Sequence, residues 1–140
     1  MIAEVSFLDF FEFIIEGPAV SLKAKKTNAR RYQKWIKTVR AAAQQQWPNI
    51  RKPTTSQVII VSITNYYTLS PPDVDNIIKP ILDALQTVVY INDQQVYKVI
   101  SEKFDLSNVD RLQNPRPLLA AAVEKYTELL HIIVTWDAED

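Results

Sequence analysis

Four short runs dominated by Phe, Ile, Val and Tyr, at residues 7–15, 58–66, 96–104 and 129–136, are separated by stretches of a different pattern. That alternation constrains the fold more than any other feature. Each run has the length and the β-branched or aromatic make-up of a strand. Between the first two, Tyr32, Trp35, Ile36, Val39 and Ala43 follow the spacing of a buried helix face, with Thr27 or Asn28 placed to cap a helix running to about Gln46. A second helix is expected from about Asn76 to Thr87, and Pro80 should kink it or delay its start, because proline lacks the N–H that a helix interior uses. Residues 105–116 read as polar loop and 117–128 as helical in composition. Glu16-Gly17-Pro18 is a turn signal that uses the only glycine, and Pro48 with Pro53 brackets a loop. The alternation predicts an α/β (α+β) single domain over residues 1–140, with a mixed sheet of about four strands, two main helices and an extra C-terminal helix. Residues 58–66 read as a central strand, and the sheet order stays open.

A chain of 140 residues can bury roughly two thirds of its unfolded surface in one core. It has no cysteine, which removes disulfides, thiolate metal sites and thiol catalysis and fits a cytoplasmic protein. Residues 1–15 contain Glu4, Asp9 and Glu12 without a basic leader, so they read as a strand and not as a signal peptide. No apolar run approaches the roughly 20 residues of a membrane span, and no membrane partner is expected.

The net charge of zero hides a segregation. From Gly17 through Pro72 there is no Asp or Glu, yet there are ten basic residues: Lys23, Lys25, Lys26, Arg30, Arg31, Lys34, Lys37, Arg40, Arg51 and Lys52. An isolated basic helix face is ordinarily a solvated face. A run of 56 residues without one acid, in a chain that carries 16, favours a phosphate partner instead. Lys23, Lys25 and Lys26 fall in a loop expected to be mobile ahead of the helix, and Arg30, Arg31, Lys34 and Lys37 lie opposite its apolar face. Tyr32 and Trp35 belong to the apolar face and read as core.

The acids that matter follow. Asp73, Asp75, Asn76, Lys79 and Asp83 are followed after an apolar run by Asn92 and Asp93. Positions 75, 79 and 83 are four apart and would form one stripe on a helix. Grouped carboxylates repel unless a cation lies among them, and a divalent metal with oxygen ligands is the usual solution. Taken singly, Asp75 reads as a helix cap, Lys79 with Asp83 as a surface ion pair, and Asn92-Asp93 as a turn. Together those readings leave Asp73 unexplained. His131 lies in an apolar run, where packing or hydrogen bonding is the expected role.

The series Asp73, Asp75-Asn76, Lys79, Asp83-Ala84-Leu85 and Asn92-Asp93-Gln94-Gln95-Val96 resembles the signature of the RusA-type Holliday junction resolvases. Gly17-Pro18-Ala19-Val20-Ser21, the basic segment and the Trp-containing helix are similar too, so the resemblance covers about residues 11–104. It implies a crossover junction endodeoxyribonuclease acting as a homodimer on branched DNA, in a bacterial or prophage-encoded setting. Asp73, Asp75 and Asp93 would hold Mg²⁺, with Mn²⁺ as a substitute; Lys79 would sit beside the scissile phosphate, with Asp83 and Asn76 in support. Phosphodiester hydrolysis needs an activated water and charge on the phosphoryl oxygens, which Mg²⁺ on carboxylates and a nearby lysine supply. Three departures stand out. Asn92 replaces a common first acid, Ser70-Pro71-Pro72 replaces basic residues, and residues 105–128 look like an insertion. A catalytically weak branched-DNA-binding protein is the alternative. A small-molecule phosphohydrolase ranks lower, because one glycine cannot make a Gly-rich phosphate loop.

Overall fold

The computed structural model describes residues 8–48 and 51–137, so Phe7 of the first expected strand and Asn49-Ile50 of the Pro48–Pro53 loop lie outside the described residues. Its strands are β1 (Leu8–Glu16), β2 (Ile59–Tyr67), β3 (Val96–Asp105) and β4 (Leu129–Asp137), each within one residue of the run expected from sequence. They form one mixed sheet in the order β1-β4-β2-β3. β4 lies antiparallel between β1 and β2, and β2 pairs with β3 in parallel. The run at 58–66 is therefore interior, as its composition suggested.

The register puts Phe11, Phe13 and Ile15, Ile59, Val61 and Ile63, and Leu130, Ile132, Val134 and Trp136 in one core on the front of the sheet. Helices α1 (Ala24–Thr27), α2 (Ala29–Gln46) and α3 (Ile78–Leu85) lie on that side, and α2 supplies Trp35, Val39 and Ala43 to the same core. Asn28 caps α2 by accepting a hydrogen bond from Arg31 N at 3.2 Å. Burying one of these large apolar side chains is worth about 1.5–3 kcal/mol, so the front core carries most of the fold's stability. Helix α4 (Pro117–Lys125) packs on the back with a smaller cluster of Tyr66, Leu119, Ala122 and Leu129. Residues 105–128 thus carry the chain from β3 to β4 behind the sheet, with a 3-10 segment at Leu106–Arg111 where loop was expected.

Pro80 delays its helix. Residues Val74–Ile77 form a 3-10 turn and α3 begins only at Ile78, which places Pro80 in the first helical turn, where its missing N–H has no intrahelical partner to lose. Asp75, Lys79 and Asp83 consequently do not share one helix: Asp75 is on the 3-10 turn, and only Lys79 and Asp83 are on α3. At the other end, Thr87 has φ 68, a left-handed position that usually takes glycine. The single glycine is used at Gly17, where a side chain would come within 3.2 Å of Glu128 Cβ. Thr87 is instead held by the Arg40 guanidinium, which bonds its hydroxyl and donates to Gln86 O at 2.9 Å.

On the back face His131 is buried, with Nε2 2.6 Å from Glu12 Oε2, and Arg116 Nε lies 3.0 Å from the same carboxylate. The hydrogen-bonding role expected for His131 is what it has. Phe10 and Ile100, 45% and 36% exposed, share this face.

Candidate active site

Four stretches meet around the front end of α3. Asp73 ends the Pro71-Pro72 loop in extended conformation and its carbonyl accepts from Asn76 N at 3.0 Å, which closes the 3-10 turn. The turn is fixed from two sides. Leu22 N donates to Asn76 O at 2.7 Å, and Ser101 Oγ donates to Val74 O at 2.6 Å. The backbone between the two acids is therefore tied to the basic loop and to β3, while Asp73 and Asp75 themselves are exposed.

Lys79 joins the helix to the turn before β3. Its Nζ lies 2.8 Å from Asp83 Oδ1 and 3.2 Å from Asp93 Oδ2. The Asp83 hydrogen bond, then that of Asp93, holds the ammonium above its ordinary pKa. A pKa raised on folding stabilises the fold fully below the ordinary value of about 10.4, and that stabilisation is lost as pH rises through the higher folded value. Lys79 should accordingly contribute no alkaline fall to a pH–rate profile below about pH 10. A fall below that pH in the native protein that disappears in Lys79→Arg would contradict this assignment. Behind the pair stand two phenols. Burial, reinforced by Asp83, pushes the Tyr32 hydroxyl up, and burial with Asp93 and Asp83 pushes Tyr90 far up. Tyr90 donates to Leu82 O at 2.7 Å and remains a neutral wall. Tyr32 is core, as expected, and brings α2 against the Lys79–Asp83 pair.

Asp93 opens a short 3-10 turn, Asp93–Gln95, for which Asn92 is the cap. Asn92 thus has a structural role, since its Oδ1 accepts from Gln94 N at 2.8 Å. Taken singly, Asn92-Asp93 reads from the sequence as a turn pair, which is what it forms, and no role is assigned there to Gln95 or Gln86. The spacing Asn92-x-x-Gln95 is that of a capping box and was the available signal; Gln86 had none.

Lys23, Lys25, Lys26 and Arg31 line hollows that border the 73–76 turn. An open cleft of about 610 Å³ is lined by Lys23, Arg31, Leu69, Pro72, Asp73 and Asn76, among others. Lys25 and Lys26 line a neighbouring hollow with Asn76, and Arg31 and Lys34 line a third along α2. Arg30 and Lys37 are exposed on the side of α2 away from Tyr32, Trp35, Val39 and Ala43. The segment holding Lys25 and Lys26 is the short helix α1, where a mobile loop was expected. Arg40 and Arg51 are structural: the first caps α3, and the second stacks over Trp47 and Trp136 and pairs with Asp9 at 3.1 Å. Lys79, Asp83 and Asp93 do not line the large cleft.

Carboxylate oxygens are the donors a hard divalent cation takes, so the residue types fit Mg²⁺. Among the described residues, however, no three His, Cys, Asp or Glu side chains stand together as a metal-holding group. Asp83 and Asp93 are gathered on Lys79, and Asp73 and Asp75 are exposed on the adjoining turn.

The family model described as Endodeoxyribonuclease RusA matches residues 18–113. That span holds the cleft-lining basic residues, the acidic turn, Lys79, Asp83 and Asp93, and it stops before α4. No curated protein matches the chain.

Proposed function

The chain belongs to the endodeoxyribonuclease RusA family, and we propose from that premise that it is a Mg²⁺-dependent resolvase that cuts four-way DNA junctions as a homodimer. The observation that carries the reading is the Lys79–Asp83–Asp93 cluster, which lies inside the matched span and follows directly on the Asp73–Asp75 turn. Asp73, Asp75 and Asp93 would hold Mg²⁺, which when bound supplies positive charge to the phosphoryl oxygens and makes water a better nucleophile at neutral pH.

The protein's own side chains do the rest. Lys79 presents a permanent charge where negative charge grows on the phosphate in the transition state. Asp83, one helical turn along α3, holds the lysine in place from one side and Asp93 from the other. Lys23 and Arg31, which share the cleft with Asp73, are placed to fix the strand by its phosphates, and Lys25, Lys26, Arg30, Lys34 and Lys37 would extend that track. Phosphate contacts position the strand without reading its sequence.

The homodimer follows from the substrate. A four-way junction has near two-fold symmetry, and one copy offers a single acidic cluster. Two copies about a two-fold axis would place two clusters on opposed strands. The exposed Phe10 and Ile100 on the back of the sheet are apolar surface for such an interface. A specific observation favours the alternative, a catalytically weak branched-DNA-binding protein: among the described residues the carboxylates are not gathered into one metal-holding group.

One assay separates the two readings. The protein is incubated with a synthetic four-way junction or a matched linear duplex, with Mg²⁺ or EDTA, and sedimentation is run in parallel. The resolvase reading expects paired cuts in the junction only with Mg²⁺, an uncut duplex, and a dimer at micromolar concentration. Tight junction binding without cutting supports the alternative. A species that stays monomeric both free and junction-bound excludes paired cutting.

A further inference from the structure

Every backbone N–H of the turn that presents Asp93 is held, and most of the partners are side-chain amides. Gln95 Oε1 accepts from both Ile91 N and Asn92 N at 2.9 Å. Gln86 Oε1 accepts from Asp93 N at 3.2 Å, and Asn92 Oδ1 accepts from Gln94 N at 2.8 Å. Gln95 N donates to Asn92 O at 3.0 Å. Gln95 is only 5% exposed, and its Nε2 donates to Thr54 O at 2.8 Å and Ser56 O at 2.9 Å. Its oxygen faces two N–H groups and its nitrogen faces two carbonyls, so the amide has one permitted orientation and no unused valence.

These contacts exceed what a surface turn needs. A three-residue turn would satisfy its N–H groups with water at little cost. Here the turn is locked to the segment before β2 through Gln95 and to the end of α3 through Gln86. Arg40 holds that same end by bonding the Thr87 hydroxyl and Gln86 O. The Asp93 carboxylate is thereby fixed relative to Lys79 on the same helix, 3.2 Å away. All three locking side chains are neutral. They set the position of the carboxylate without adding a charge that would compete for a cation or repel a phosphate.

We infer that Gln95, Gln86 and Asn92 are positioning residues for Asp93, holding its carboxylate where a divalent cation and the scissile phosphate meet. The inference rests on the metal-site role given to Asp93 above. On this reading Asn92 contributes a cap and not a ligand. Outer-shell partners of this type commonly change metal affinity or activity by about 10–100-fold when removed.

The test uses Asn92→Ala, Asn92→Ser, Gln86→Ala and Asp93→Asn in the full chain. Gln95 is too buried to truncate without risk to folding, and the other positions carry the experiment. Three quantities are measured: Mn²⁺ affinity from the free-ion paramagnetic signal, the cleavage rate against metal concentration, and junction affinity in EDTA. Asn92→Ala and Gln86→Ala are each expected to weaken Mn²⁺ binding about tenfold and raise the metal needed for half-maximal cleavage in step. Junction affinity in EDTA should stay near that of the native protein, and the melting temperature should fall by only a few degrees for the lost cap or amide contact. Asn92→Ser, a neutral cap of similar strength, should recover most of the loss. Unchanged Mn²⁺ affinity in both alanine variants, with Asp93→Asn defective, overturns the positioning role alone. Native Mn²⁺ affinity and cleavage in Asp93→Asn would instead remove the metal-site reading beneath it.

Discussion

Replacing Asp73, Asp75 or Asp93 singly with Asn is expected to lower Mg²⁺-dependent junction cleavage about a thousandfold, the several kcal/mol that charge stabilisation by a held metal supplies. Junction affinity measured in EDTA should be unchanged or tighter, because each change also removes a negative charge facing the phosphates. The combination matters more than either half. An unfolded or misfolded variant loses both cleavage and binding, whereas a missing ligand separates them. Asp73 and Asp75 are exposed and take part in no ion pair among the described residues, so their substitution should leave the fold intact. Asp93 is different, since Asn at that position also releases Lys79 from one of its two acids. Its variant should therefore show the largest fall in turnover. Full activity in the Asp73 and Asp75 variants would remove the 73–76 turn from the chemistry.

The fold was readable because each element carried its own period. The four strands came from β-branched and aromatic runs whose alternate residues face the core, and the burial of β2 follows that alternation over most of its length. Helix α2 came from Tyr32, Trp35, Val39 and Ala43, all of which are buried. The pattern gives no strand order. That order depends on β4 entering between β1 and β2, a choice made by long-range packing of Leu130, Ile132, Val134 and Trp136 against both neighbours. The acidic series was legible as a set of residues, but its geometry was not. A four-residue spacing suggested one stripe, and Pro80 prevented it by pushing the helix start to Ile78. The supporting amides were only partly legible. Gln86 has no distinctive sequence context, and the capping-box spacing Asn92-x-x-Gln95 marks a turn without showing the four partners that surround the Gln95 amide.

Charge placement on α2 leads to the second large effect. Arg30, Lys34 and Lys37 are exposed on the side opposite the buried face, and none has an acidic partner among the described residues. Three unpaired cations on one helix face repel one another in isolation, so a phosphate backbone relieves a cost already built into the fold. Each phosphate neutralised adds about −0.9 to the slope of log affinity against log salt on duplex DNA. Replacing all three with Gln should therefore reduce the magnitude of that slope by about 2.7 if each contacts one phosphate. With affinities converging at 1 M salt, this amounts to a loss of about 500-fold in junction binding at 0.1 M. Cleavage at saturating protein should fall much less, because the Lys79 cluster and the acidic turn are untouched. Gln keeps the helix propensity of the residues it replaces, so the melting temperature should hold. An unchanged salt slope would mean that this face of α2 points away from DNA. The phosphate track would then have to run through Lys23 and Arg31 in the cleft beside Asp73, and the same measurement on those two side chains would show the steep change instead.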